Sequence, residues 1–344
     1  MGTGSISIHH MRAWQAIAGV EIVALANRTR ARAQELGRQF GIGEAHIYAD
    51  YRELLASEPV DFVDIATSPE VHGEQVLAAA ARRVHVLCQK PFAPSLAEAV
   101  ALVRACEEAG VRCVVNENWR WRPWYREVKQ LLTQGAIGQP RYARFLVHRD
   151  DTLPRPDGSL PTLVTQQPHT VRMPRLIIFE WGIHLIDVLR FLFGDVETVY
   201  AQLARISPLV QGEDLAVVTL GFRSGLIGLV DVSWGARIPE CRRLVRGNVD
   251  PFIVEGEEGT LELDPYRGDL LVVTTAWGSE ERQAHPGLTC AEAYQQSFLA
   301  AQQHFVDCLR SGRPAENEAR DNLKTLAIAF AVYESAARKQ PVTL

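Results

Sequence analysis

Two short stretches carry side chains able to move a proton. In EWGIHLID, Glu180, His184 and Asp187 stand at i, i+4 and i+7, one face of a helix, so an imidazole has a carboxylate within reach on either side. A neighbouring carboxylate raises an imidazole's basicity and fixes its tautomer, which is what a general base requires. In VLCQKPFAPS, residues 86–95, an apolar run ends on Gln89-Lys90-Pro91 and a helix signal follows. A strand end of that kind can deliver the Lys90 ammonium to a crevice, although most lysines simply turn into solvent. Pro91 stiffens the turn and is compatible with a cis peptide bond. His184 has an equally ordinary alternative, a satisfied core histidine among Ile177, Trp181, Leu185 and Val188. A metal held by Glu180 and His184 lacks a third ligand at suitable spacing, so no metal is expected.

The chain opens MGTGSISIHHMRAW. Gly2 and Gly4, followed by Ser5 and Ile6 with Ser7 in the third position, fit a G-x-G-x-x-G/A turn ahead of a helix whose N-terminus can hold a pyrophosphate. A glycine-rich start with no ligand fits the same letters. Where a ribose-binding acid belongs, about 20 residues on, stand Asn27 and Arg28. An amide beside a guanidinium suits a 2′-phosphate better than a free 2′-hydroxyl, which favours NADP over NAD. Alternatively Arg28 is a solvated charge like Arg30 and Arg32. The strand that normally leads into such a turn is not seen before Gly2, so either an upstream start supplies it or the nucleotide site is compromised.

The run NENWRWRPWYR, residues 116–126, sets aromatic faces beside guanidinium groups, a combination suited to sugar rings and carboxylates. Helix-to-sheet packing with snorkelling arginines accounts for such a run as well. Asn118 and Arg120 are the substrate-facing candidates, with Arg175 ahead of the helix that carries His184.

These groups need a scaffold, and the hydrophobic pattern supplies one. Up to about residue 133, short β-branched runs (20–26, 61–66, 84–88, 111–115) alternate with helical segments, the signature of a parallel sheet. Ser95 with Glu98 forms a capping box, Gly110 stands at a helix C-terminus, and Ser68-Pro69 opens another helix. The strands end on Asn27-Arg28, Thr67-Ser68, Gln89-Lys90 and Asn116–Asn118, and ligands bind beyond such ends in open parallel sheets. After about residue 138, strands joined by short turns predict a mostly antiparallel sheet, interrupted by a helix over 175–193 and closed by helices over 291–311 and 318–338. The interval 150–170, with Pro154, Pro156, Pro161 and Pro168, is long enough to serve as a lid.

A chain of 344 residues is long enough for two domains, here 1–118 and 119–344. Its net charge of -5 argues against nucleic acid and anionic membranes as partners and leaves small molecules. The opening residues contain no apolar run of signal-peptide or membrane-span length, so a cytoplasmic location is expected. The six cysteines (Cys88, Cys106, Cys113, Cys241, Cys290, Cys308) include no C-x-x-C pair and read as reduced packing residues.

Together, GTGSIS, VDIATSPEVH, VHVLCQKP, ENWRWRPWY, EWGIHLID, VEGEEGTLELD and the late YESA make the chain resemble the family of glucose-fructose oxidoreductase, inositol dehydrogenase and the rhizopine-catabolism protein MocA. The resemblance implies a Rossmann domain followed by an α/β domain with a large open sheet used for homo-oligomer contacts. It also implies NAD(P)-dependent hydride transfer to or from a sugar, cyclitol or related polyol. The family's E-K-P motif falls on Gln89-Lys90-Pro91, and its Asp four residues before a His falls on Glu180 and His184, so both carboxylate positions depart from the usual pattern. His184 then becomes the proton acceptor, Lys90 a donor to the same substrate oxygen, and Glu180 the residue that binds substrate and orients the imidazole. Gly2, Gly4, Ser5, Ile6, Asn27, Arg28, Thr67, Ser68, His72, Gln89, Lys90 and Asn118 would meet the cofactor. Lys90, Asn118, Arg120, Arg175, Glu180 and His184 would meet the substrate. The two substitutions and the missing strand keep two alternatives open: a cofactor-binding sensor without turnover, and a redox-neutral lyase or glycosidase with bound NAD.

Overall fold

Val86, Leu87 and Cys88 have no solvent exposure at all, the mark of a strand covered on both faces as parallel sheets require. The computed structural model describes residues 1–155, 157–237, 249–267 and 269–344. Pro156 and Cys241, both named above, lie outside the described residues. The chain divides into two units, Met1–Trp121 with Tyr294–Leu326, and Arg122–Ala293 with Ala327–Leu344. The sequence reading places a single boundary at 118/119, whereas the contacts return residues 294–326 to the first unit. Phe298 and Phe305 explain the return: both are fully buried, Phe305 in one cluster with Trp14, Leu87 and Val114.

In the first unit, α1 (Ser7–Ala16), β1 (Leu25–Ala26), α2 (Arg30–Phe40), β2 (Ile47–Tyr48), α3 (Tyr51–Ser57), β3 (Phe62–Ile65), α4 (Pro69–Ala81), β4 (His85–Gln89), α5 (Leu96–Glu108) and β5 (Cys113–Asn116) follow one another. β1 pairs with β2, and β3, β4 and β5 pair in that order, every pair parallel. The gap between β1 and β3 is spanned by the first two residues. The Gly2 N–H donates to the Ala26 carbonyl at 2.8 Å, and the Ala66 N–H donates to the Met1 carbonyl at 2.8 Å. Of the predicted strand 20–26 only the last two residues are strand, because only they find a partner in β2; Val20 and Ile22 pack against the Trp14 cluster instead. Ser95 Oγ accepts from the Glu98 N–H at 3.2 Å, as a capping residue should.

The second unit begins with α6 (Pro123–Thr133) and β6 (Pro140–His148), and a short helix α7 (Thr162–Gln166) lies within the proline-rich interval. A π-helical turn, Ile177–Gly182, runs into α8 (Ile183–Phe193). Strands β7 (Val196–Ala204), β8 (Leu215–Phe222), β9 (Ile227–Ser233), β10 (Phe252–Gly256), β11 (Gly259–Asp264), β12 (Leu270–Thr275) and β13 (Gly278–Gln283) precede α9 (Cys290–Ser311), α10 (Ala319–Arg338) and β14 (Val342–Thr343). The nine-stranded sheet has the order β13-β12-β11-β10-β6-β9-β8-β7-β14. All pairs are antiparallel except β6 with β9. α8 packs on β9 and buries Ile183, Leu185, Ile186, Val188 and Leu189 completely. Among the described residues, no helix is long and apolar enough to cross a membrane.

Candidate active site

Parallel pairing sends the residues after β3, β4 and β5 to one edge of the first unit: Thr67-Ser68, Gln89-Lys90-Pro91 and Asn116–Asn118. The glycine turn belongs to the same unit. Gly2 has φ +86°, and a Cβ there would lie 2.5 Å from the Ala66 carbonyl oxygen, so only glycine fits between β1 and β3. A Cβ on Gly4 would meet nothing within 4 Å. α1 starts just beyond, with Ile6 at its N-cap and no side chain capping its free N–H groups, and the Ser7 hydroxyl donates to the Gly2 carbonyl. Thr3 Oγ1 is buried without a hydrogen-bond partner. An open helix start, room above Gly4 and an orphaned hydroxyl fit a phosphate-bearing group such as the pyrophosphate of a dinucleotide. Ser5 and Arg28 are exposed, and the Asn27 amide donates to the Thr29 carbonyl.

Beneath Lys90 lies a buried polar network that the sequence did not reveal. The Lys90 backbone N–H donates to Gln89 Oε1 at 3.1 Å, which orients the amide and leaves its NH₂ to donate to His10 Nε2 at 2.7 Å. Asn116 Nδ2 donates to the same imidazole nitrogen at 3.2 Å. On the other side of the ring, His10 Nδ1–H donates to Asp64 Oδ2 at 2.8 Å, and Trp14 Nε1–H donates to that oxygen at 2.6 Å. In this arrangement Nδ1 faces the carboxylate and Nε2 faces the two amides. Burial alone would raise the Asp64 pKa, but the facing His10 and Trp14 groups and the nearby α-amino group outweigh it and hold the carboxyl below its ordinary value. The amide at position 89 is therefore matched to an imidazole nitrogen. The Lys90–Pro91 peptide bond is cis.

His72 faces three backbone carbonyls. Read from the sequence as a cofactor contact, it is fully buried, with Nδ1 3.1 Å from the Pro91 carbonyl and 3.3 Å from that of Phe92, and Nε2 3.1 Å from the Thr67 carbonyl. It ties the end of β3 to the segment after Lys90. Thr67 Oγ1 donates to Gln75, and Ser68 is an exposed N-cap residue whose hydroxyl makes no capping bond. Asn118 and Arg120, read as substrate-facing, are 3% and 4% exposed. The Asn118 amide donates to Ser297 Oγ at 2.8 Å and Arg120 Nη1 to the Glu316 carbonyl at 3.0 Å, which anchors α9 and the loop before α10.

In the second unit, Glu180 is half-buried inside the π-helical turn, and His184 and Asp187 are buried on α8. The continuous α-helix expected over 175–193 is thus two segments. The Ile183 N–H reaches back five residues to the Ile178 carbonyl, a widening that recurs at functional sites. Its start is held by Glu213, a residue with no signal in its own stretch of sequence. Glu213 Oε1 accepts from the N–H groups of Leu176 (3.0 Å) and Ile178 (3.3 Å) and from the Tyr333 hydroxyl (2.6 Å). Burial, and then the Glu213 charge, push the Tyr333 phenol far up. Arg175 is exposed, its guanidinium 5.0 Å from the Phe330 ring centre and 5.4 Å from that of Tyr333.

Residues 1–117 match the oxidoreductase family with an NAD-binding Rossmann fold, and residues 125–262 match the GFO/IDH/MocA C-terminal domain. A D-apiose dehydrogenase of Paraburkholderia graminis is 39% identical over 100% of this chain and 88% of its own. A myo-inositol 2-dehydrogenase of Thermotoga maritima is 28% identical over 100% of this chain and 97% of its own. The crystal structure of an oxidoreductase from Agrobacterium radiobacter, in complex with NAD+, L-tartaric acid and magnesium, superposes with a TM-score of 0.89 at 36% identity, covering 99% of this chain and 96% of that one. On these matches, carried by both halves of the fold, the chain belongs to the GFO/IDH/MocA family of oxidoreductases.

Proposed function

We propose that the protein is an NAD(P)-dependent dehydrogenase of a sugar, cyclitol or related polyol, with D-apiose the first substrate to test because relatives of that name are 39% and 36% identical. The observation that carries the reading is the glycine turn at the uncapped start of α1, on the same unit as the strand end that bears Lys90. When bound, the nicotinamide accepts or returns the hydride. Gly2 to Ile6 hold the pyrophosphate, and Thr67, Ser68, Gln89 and Lys90 line the edge beyond it. His184 takes the hydroxyl proton, Lys90 donates a hydrogen bond to the oxygen, and Glu180 orients substrate and imidazole. An amide at position 27 beside the exposed Arg28 supports NADP over NAD.

Tyr200, Val217 and Ile227 are exposed on β7, β8 and β9, and this apolar surface supports homo-oligomer formation through the large sheet. Among the described residues, the cysteines at 88, 106, 113, 290 and 308 form no disulfide, which supports a reducing compartment such as the cytoplasm. The test is a panel of D-apiose, inositols, other aldoses and uronic acids with NAD+ and NADP+, followed by the absorbance of the reduced nicotinamide. Turnover with at least one polyol is expected. Failure of both cofactors to bind in a fluorescence titration would end the proposal.

A further inference from the structure

We propose that Asp269, His285 and Cys290 form a three-ligand site for a zinc-class divalent cation, a role independent of the dehydrogenase reading. The expectation of no metal, and of a packing role for Cys290, is revised accordingly. Asp269 stands just before β12, His285 just after β13, and Cys290 is the first residue of α9. One atom from each converges. His285 Nε2 is 3.3 Å from Asp269 Oδ2, Cys290 Sγ is 3.3 Å from the same oxygen, and Sγ is 3.4 Å from Nε2. Metal–ligand distances of about 2.0–2.1 Å for nitrogen and oxygen and about 2.3 Å for sulfur give a zinc tetrahedron edges of roughly 3.3–3.6 Å. The three separations match those edges. An imidazolium–carboxylate pair would instead close to about 2.7–2.9 Å.

The tautomer points the same way. His285 Nδ1–H donates to the Leu288 carbonyl at 2.7 Å, the outer hydrogen bond that metal-bound histidines characteristically make. Nε2 then faces Asp269 Oδ2 at 3.3 Å, too far for a close ion-paired hydrogen bond and suited to a cation held between them. Asp269 Oδ1 accepts from the Val249 N–H at 3.4 Å, while Oδ2 faces His285 Nε2 and accepts from the Cys290 thiol, whose proton a metal at that point would displace. Asp269 and His285 are 6% and 7% exposed, whereas Cys290 is half-buried, so the cluster reaches solvent on the sulfur side. A thiolate, an imidazole and one carboxylate select zinc over magnesium. Binding moves no electrons: the thiol proton of Cys290 is released to solvent, and sulfur, nitrogen and oxygen each donate a pair to the cation. The cation would clamp the β11–β12 connection and the segment after β13 to the start of α9.

The full-length protein, stripped with a chelator, is titrated first with Zn2+ and then with Co2+. One equivalent of Zn2+ should bind, Co2+ should produce a thiolate charge-transfer band with strong tetrahedral visible absorption, and Zn2+ should protect Cys290 from alkylation. Cys290→Ala should abolish the charge-transfer band, and both it and His285→Gln should weaken zinc at least tenfold. The site is disproved if wild-type protein shows no saturable Zn2+ or Co2+ binding, a result that needs no variant to fold. It is equally disproved if both variants, still folded by circular dichroism, bind one equivalent as tightly as wild type.

Discussion

The amide nitrogen of Gln89 lies 2.7 Å from Nε2 of His10, and the amide cannot be turned over, because its oxygen already accepts from the Lys90 N–H. Residue 89 is therefore the donor to the ring. Gln89→Glu places an acceptor against an acceptor and should lower stability by about 1–3 kcal/mol at neutral pH. The urea midpoint measures it, and an unchanged midpoint would contradict the hydrogen-bond assignment.

Removal of the proposed acid–base groups should separate binding from chemistry. His184→Asn is expected to cut kcat by roughly 100- to 10,000-fold with little change in cofactor affinity. Lys90→Met should lower kcat and weaken the cofactor as well. Steady-state kinetics with a cofactor titration distinguishes the two patterns.

The two glycines of the opening turn should respond differently. Gly2→Ala forces a Cβ to 2.5 Å from the Ala66 carbonyl at φ +86° and should cost at least about 2 kcal/mol of stability. Gly4→Ala meets no atom within 4 Å, so stability should hold within about 0.5 kcal/mol. Its Cβ enters the space proposed for the pyrophosphate, so the cofactor Kd should rise at least about tenfold. Thermal unfolding and cofactor titration report the two effects independently.

His72 predicts a pH dependence. Burial lowers its pKa, against the opposing pull of the Thr67, Phe92 and Pro91 carbonyls. The unfolded chain therefore takes up a proton below about pH 6.5 that the folded chain refuses. The stability contributed by the neutral ring is complete above that value and is lost as pH falls through the window below it, by up to about 1.4 kcal/mol per pH unit. Urea midpoints at about pH 7.5 and 5.5 should show the loss, and His72→Gln should flatten it.

Glu213 is expected to matter for stability and for the segment bearing Glu180 and His184 alike. Glu213→Ala removes the acceptor of two backbone N–H groups and of the Tyr333 hydroxyl, at an expected cost of about 2–3 kcal/mol. A melting temperature equal to wild type would show that the π-helical start is held by other contacts.

What the sequence by itself determined was whatever depends on neighbours a few residues away. β-branched runs spaced by capped helices made the parallel first unit legible, and alternation over 140–148, 196–204 and 215–233 announced the antiparallel second sheet. Gly2, Gly4, Lys90, Glu180 and His184 stood out because their types and spacings are informative locally. The edge strand β13 was not legible, since Gly278–Gln283 is almost wholly polar and exposed and owes its strand to pairing with β12. Only the tertiary structure decided that Gln89 answers His10, that Glu213 holds the start of the π-helical turn, that His72 faces three backbone carbonyls, and that Asp269, His285 and Cys290 meet. Each of those pairings is an exchange of hydrogen-bond partners in a buried place. A donor's need for an acceptor is written in its residue type, but which acceptor arrives, from dozens of residues away, depends on strand register and helix placement.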